Sequence, residues 1–201
     1  MAGGIAVLWS VRGLSAVALA GAALIGVTLW SWGQRLSCTC GHVRLWVGTI
    51  FSPDNSQHIA DWYTLSHVVH GMLVVLAGRM LPWRVDIRTL LALAIVTGVA
   101  WEIVEHTDWV LNRFRAATLY QGYLGDSVLN AVADYLWMLG GFALASISPT
   151  ALVVAFVAGL ELTAALTARD CLALTTLSVI YPVDAIEAWQ QELNPNPAPP
   201  D

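Results

Sequence analysis

The chain has 201 residues, 57% of them hydrophobic and 11% charged, with 9 basic and 14 acidic side chains, a formal net charge of −5 and a mean hydropathy of +0.65. A soluble domain of this size carries roughly a quarter of its residues as charges, so the composition excludes a soluble globular enzyme, a disordered chain and a basic nucleic-acid binder and leaves an integral membrane protein. Three cysteines, an odd number in a long chain, exclude a disulfide scaffold.

A lipid-crossing helix needs about 20 mostly apolar residues, and five windows meet that need: 14–32, 62–81, 90–106, 127–147 and 151–168. The expected fold is therefore an all-α polytopic transmembrane helix bundle of about five spans, one multi-pass domain over residues 1–193. The first window follows Arg12 as a secretory signal would, but it is long and ends in Trp30-Ser31-Trp32 rather than in small residues, which predicts a retained span. Tryptophan there suits a membrane interface. Next comes Cys38-Thr39-Cys40-Gly41-His42, a partial metal clasp that falls short of a zinc pattern and reads as a pair of incidental thiols.

The second window opens on Asp61, closely preceded by His58, and carries His67 and His70 three apart on one helical face. Two imidazoles at that spacing can reach one divalent metal; the plainer reading is two interfacial histidines hydrogen-bonded to neighbouring helices. The third window ends in Trp101-Glu102-Ile103-Val104-Glu105-His106. Glu102 and Glu105 share a face and would repel unless a cation, a proton or an arginine compensates, with Arg113 and Arg115 in the following loop as the nearest arginines. The fourth opens on Gly125-Asp126-Ser127, where Asp126 is also a natural helix N-cap, and spaces Asp126, Asn130 and Asp134 by four as one polar stripe. Glu161 in the fifth window, with Arg169 and Asp170 beyond it, reads as a structural pairing. Residues 171–181 are half a bilayer long and predict a short interfacial or re-entrant helix; the proline-rich residues 194–201 predict a disordered tail.

Connectivity joins these groups. The second span starts on one side of the membrane, the third returns to it and the fourth departs from it, so all three polar groups lie in one leaflet whichever way the chain inserts. Ionisable groups inside spans are functional candidates by default. For orientation, arginines divide four against five between the two sides, and only the cluster Arg79, Arg84 and Arg88 beside a short loop favours a cytoplasmic second loop. Nucleophile-elbow, phosphate-loop and dinucleotide motifs are absent from the sequence, as is an internal repeat.

From Cys38 onward the chain resembles an uncharacterised family of bacterial inner-membrane proteins. The resemblance is carried by Cys38-Thr39-Cys40-Gly41, Asn55-Ser56-Gln57-His58-Ile59-Ala60-Asp61-Trp62-Tyr63-Thr64, Ser66-His67, His70-Gly71, Trp101-Glu102-Ile103-Val104-Glu105 and Arg113. It continues through Arg115-Ala116-Ala117-Thr118, Gly125-Asp126-Ser127, Asn130, Asp134, Glu161-Leu162, Arg169-Asp170 and Asp184-Ala185-Ile186. His106 and Cys171 stand where the family more often has asparagine. The resemblance implies a multi-pass location in the bacterial inner membrane and no reaction. More remotely, the order Asp and His, Glu, Arg, then Asp-x-x-x-Asn is similar to VanZ-like membrane proteins.

The leading functional expectation is a one-leaflet site. His58, Asp61, His67, His70, Glu102 and Glu105 are its candidate ligands for a divalent metal, Glu102, Glu105, Asp126 and Asp134 its candidate catalytic carboxylates, and Arg113, Arg115 and Asn130 its candidate contacts to a substrate. The expected partners are the lipid bilayer and a lipid or other anionic head group, or another membrane protein, and no nucleic acid. A small ion, proton or solute carrier and a non-catalytic membrane assembly protein are the competing readings.

Overall fold

The computed structural model describes residues 10–117, 123 and 125–194. Among them it is all-helical: α1 (Val11–Ser31), α2 (Trp62–Met80), α3 (Ile87–Glu105), α4 (Asp108–Ala117), α5 (Val128–Ile147), α6 (Thr150–Thr167), α7 (Leu172–Ile180) and α8 (Asp184–Gln191). Apart from Asn194, the expected tail lies outside the described residues.

Local chemistry sets the boundaries. The Ser10 hydroxyl accepts from the Gly13 N–H at 3.0 Å and starts α1. Asp61 and Thr64 form a reciprocal capping box at the start of α2, and the Leu81-Pro82 step, with Leu81 extended, stops that helix. Asp86 caps α3 through the Arg88 N–H at 2.7 Å. The fourth window is capped by Ser127, whose hydroxyl accepts from the Asn130 N–H at 3.1 Å; Asp126 lies just outside the helix and is not the cap. At the Ser148-Pro149 corner, Arg79 donates to the carbonyls of Ala145 and Ser148, both at 2.9 Å, so a cation from α2 satisfies the open C-terminus of α5. Cys171 provides no cap for α7; Glu161 of α6 takes that role from outside, accepting from Leu172 and Ala173 N–H at 3.1 Å each. Glu161 therefore pairs with a helix terminus rather than with Arg169, which binds Glu192 at 2.7 Å and stacks over Trp189.

Among the described residues, four helices are long and apolar enough to cross a membrane: α1, α3, α5 and α6. The second expected span, α2, matches α3 in length at 19 residues but carries Thr64, Ser66 and His67 buried inside the protein. Its polarity is met by protein rather than lipid, because α2 lies in the centre, against α5 on its closest side and α3, α6 and α7 around it. Met72, Val75, Ala131, Tyr135, Met138, Phe142 and Ala145 fill the core between them. Leu19, Val27, Val96, Leu162 and Leu166 face outward, as lipid contact requires.

Two helices lie beyond the sequence expectation. α4 buries Val110, Leu111 and Phe114 and exposes Trp109, Arg113 and Arg115, and α8 is a short helix just past Pro182. Both are too short and too polar for a search tuned to 20-residue apolar windows. The C-terminal ends of α1, α3 and α6 meet the N-terminal ends of α2 and α5 at one end of the bundle, where α4 and α7 also lie.

Candidate functional site

The polar end is framed by the segment between α1 and α2. The carbonyls of Arg35 and Leu36 accept from the Val128 and Leu129 N–H groups at 2.8 and 3.0 Å, filling part of the open N-terminus of α5. Ser127 N–H donates to the Ser56 carbonyl at 3.0 Å, and the Asn130 amide donates to the His58 carbonyl at 2.9 Å. With both of its carboxylate oxygens taken by the Ser56 and Tyr63 N–H groups at 2.8 Å, Asp61 is an anchor of this segment. Burial pushes its carboxyl up to about 6 even so.

Behind this frame, α2, α3 and α5 bring His67, Glu102, Glu105 and Asp134 together. His67 Nδ1 lies 3.3 Å from Glu102 Oε1, and its Nε2 lies 4.0 Å from Asp134 Oδ2. Asp134 also accepts from the Thr64 hydroxyl at 2.8 Å, and that same hydroxyl oxygen accepts from the Asp61 N–H, so the cap of α2 is wired to the buried acid of α5. Glu102 is 1% exposed, and neither of its carboxylate oxygens has a hydrogen-bond donor; its approach to His67 is off the line a hydrogen bond needs. Glu105 takes a hydrogen bond from Trp101, yet its Oε2 is buried without one. One ligand atom each from His67, Glu102 and Glu105 lies within 4.8 Å of the other two.

A second group, Glu102, His106 and Asp126, lies beside the first. Here both imidazole nitrogens of His106 are committed: Nδ1 lies 2.7 Å from the Glu102 carbonyl and Nε2 accepts the Asp126 N–H at 3.0 Å. His106 is thus a structural clamp. Asp126 accepts from the Tyr123 hydroxyl, and the half-buried Tyr123 phenol is held well above its ordinary range by desolvation first and by the Asp126 charge second.

A cavity of about 40 Å³ opens onto these groups, lined by Tyr63, His67, Glu105, Tyr123, Asp126, Asp134 and Asp170 among others. Four carboxyl groups and one imidazole face it, and among the described residues no arginine or lysine does. Burial pushes Asp170 up to about 6, although Thr175 and the Cys171 N–H donate to it.

Of the residues singled out in the sequence, His67, Glu102, Glu105 and Asp134 converge, with Asp126 at the cavity wall. His70 is half-buried one turn deeper and outside the cluster, and Asp61 is engaged as a cap. Asn130 is buried on the frame with its Oδ1 unpartnered. Arg113 and Arg115 are exposed on α4, where Arg115 donates to the Tyr123 carbonyl at 2.7 Å. His58 sits in a different group, with Cys38, Cys40 and Asp54. Cys38 and Cys40 are joined as a disulfide, which corrects the reading of incidental thiols. Tyr63, Tyr123 and Asp170 received no site role from the sequence; extending the connectivity argument to the fifth span, which returns to the same side, finds Asp170.

A family model described as "Protein of unknown function (DUF2585)" matches residues 29–192. The chain is 46% identical over 162 residues to a UPF0314 protein of Rhizobium meliloti, covering 79% of this chain and 80% of that one. It is 45% identical over 165 residues to a UPF0314 protein of Paracoccus denitrificans, covering 82% and 85%. A third, from Novosphingobium aromaticivorans, is 38% identical over 185 residues, covering 89% and 93%. No solved structure matches the chain. These matches carry the resemblance to an uncharacterised bacterial family and none to VanZ-like proteins.

Proposed function

The chain belongs to the DUF2585 family of proteins of unknown function, and from the chemistry of its polar end we propose that it is a multi-pass inner-membrane protein holding a divalent cation on His67, Glu102 and Glu105, in one leaflet, for action on a lipid or other anionic head group. One observation carries the reading: Glu102 is a buried carboxylate with both oxygens unpartnered, next to a second carboxylate, Glu105, with one oxygen unpartnered, and an imidazole. Leaving such groups unpaired costs several kcal/mol per ion, and a cation among them removes both the repulsion and the missing donors. A mixed nitrogen and oxygen set suits a first-row divalent ion.

His67, Glu102 and Glu105 would hold the cation, which would supply Lewis-acid chemistry for a phosphoryl or ester oxygen or for a water. Asp134, fixed by the Thr64 hydroxyl, places its charge 4.0 Å from the second nitrogen of His67, Asp126 with Tyr123 is the proton-handling pair at the wall, and Arg113 and Arg115 on α4 attract the anionic group. A cavity of about 40 Å³ has room for an ion and one or two waters, so the head group reacts at the mouth rather than inside. A carrier would need polar groups through both leaflets; α5 has no charged side chain after Asp134, α2 none between His70 and Arg79, and α3 none between Arg88 and Glu102.

Elemental analysis of protein extracted in mild detergent tests this. The expected result is close to one divalent transition-metal ion per chain, lost in the double variant His67→Ala, Glu102→Ala. Metal-free wild-type protein that takes up no added zinc or manganese sinks the reading.

A further inference from the structure

The segment between α1 and α2 holds a second cluster that the cation reading does not use. Cys38 and Cys40 are disulfide-bonded with their Cα atoms 5.2 Å apart, and Cys40 is exposed while Cys38 is half-buried. His58, 1% exposed, aims Nε2 at the Cys40 sulfur from 3.9 Å, and Asp54 Oδ1 lies 3.6 Å from the Cys38 sulfur. The charged and titratable neighbours are His42, Arg44, Asp54 and His58.

Two cysteines, an aspartate and a histidine within reach of one another also describe a metal site, and the hydrogen bonds decide against one. His58 Nδ1 accepts the Arg44 backbone N–H at 3.1 Å, so Nδ1 must carry its lone pair and Nε2 its proton. An Nε2–H has no lone pair for an ion. The acceptor it faces is the Cys40 sulfur, 3.9 Å away. In addition, the Arg44 guanidinium lies 3.0 Å from Asp54 Oδ2 and opposes a second cation there. A fixed N–H directed at a sulfur stabilises a thiolate, and the Cys40 N–H donates to Cys38 Sγ at 3.1 Å. The His42 carbonyl, 3.3 Å from Cys40 Sγ, accepts from the thiol when it is protonated.

We propose that Cys38 and Cys40 are a redox-active pair that exchanges with the disulfide of a partner protein, with Cys40 as the attacking sulfur and His58 as the residue that positions and stabilises its thiolate. In the reduced pair the Cys40 thiolate attacks the external disulfide: a Cys40–partner S–S bond forms, the partner's own S–S bond breaks and its second sulfur leaves as a thiolate. Cys38 then gives its proton to Asp54 and attacks Cys40 Sγ. The Cys38–Cys40 bond forms, the mixed disulfide breaks and the partner's first sulfur leaves as a thiolate. The partner has gained two electrons and the pair has lost two, with the pair's protons passing to the released thiolates through solvent. Exposed disulfides are in general the labile, exchanging ones, and this one rests on no part of the cation reading.

The test uses the full chain in detergent micelles, equilibrated in reduced and oxidised glutathione and trapped with maleimide. Labels on Cys38 and Cys40 should appear and disappear together as a two-electron couple within the glutathione range, with the buried Cys171 as an internal reference. In the reduced protein, Cys40 alkylation should have a pH midpoint below the ordinary thiol value of about 8.5. His58→Ala should raise that midpoint and slow alkylation at pH 7 several-fold, and His58→Gln, which keeps an acceptor and an N–H, should restore it. Independent labelling of the two cysteines overturns the pair whatever the His58 variants do. So does a zinc ion that blocks labelling of the purified protein and is lost in Cys40→Ser. An alkylation rate unchanged in His58→Ala overturns the role of His58.

Discussion

Asp170 shows how much one buried carboxyl shapes the energetics of this end. Its folded value of about 6 stands above the model-compound 3.8 because burial outweighs the donors around it. The folded protein therefore keeps a proton over roughly pH 4 to 6 that the unfolded chain has released. Stability from this group is fully present below about pH 4 and lost as pH rises through 6, a change on the order of 3 kcal/mol. Asp61 is shifted in the same direction and adds to the same window. Thermal unfolding in detergent should show the wild-type midpoint falling between pH 4 and pH 7, and Asp170→Asn should reduce that fall without abolishing it. Equal slopes for the two proteins would assign the pH dependence elsewhere. At this scale the sequence was legible in part. His67 and Glu102 were expected to meet and do, but His70, three residues further on, lies about 4.5 Å deeper along the axis, past the level of the acids. His58 had the right chemistry for a ligand and is held to another task by one backbone N–H from Arg44.

At the scale of the element, the crossing of α2 and α5 positions the acids and the imidazole. That crossing is close because glycines face backbone: a Cβ at Gly71 would overlap the Met138 carbonyl, and one at Gly141 would overlap the Val68 carbonyl. Gly140, adjacent in sequence, faces open space. Gly141→Ala should therefore cost about 1–3 kcal/mol through forced separation of the helices and weaken any metal bound at His67 and Glu102. Gly140→Ala should leave both unchanged, and its helix propensity is if anything better. Melting curves and metal content measured on the two variants side by side check this; comparable losses in both would show that the crossing is not what matters. The apolar windows announced the long helices because length and hydropathy are one-dimensional. Which glycine faces a neighbour is a matter of helix rotation, and 16 glycines in the sequence do not announce it.

For the whole molecule, the two ends differ in charge as well as in polarity. Arg12, Arg79, Arg84 and Arg88 stand at one end against the single acid Asp86, while the site, the disulfide and most of the carboxylates stand at the other. Arginine next to short loops favours the cytoplasm, and disulfides persist on the oxidising side of a bacterial inner membrane. For the proposed inner-membrane location, both predict an outward-facing site end. After mild reduction of intact spheroplasts, a membrane-impermeant maleimide should label Cys40; protection until the membrane is opened would reverse the orientation.

From the residues alone follow a helical membrane protein and the gathering of the ionisable groups of its second, third and fourth windows at one end of the bundle. Both follow from quantities summed along the chain, hydropathy and the alternation of direction from span to span. Which of those groups touch is settled by the packing of the helices. Helix rotation and depth join His67, Glu102, Glu105 and Asp134. The path of the segment between α1 and α2 carries His58 to the cysteines instead. Contact depends on three-dimensional direction over a few ångströms, and residue spacing within separate helices does not encode it.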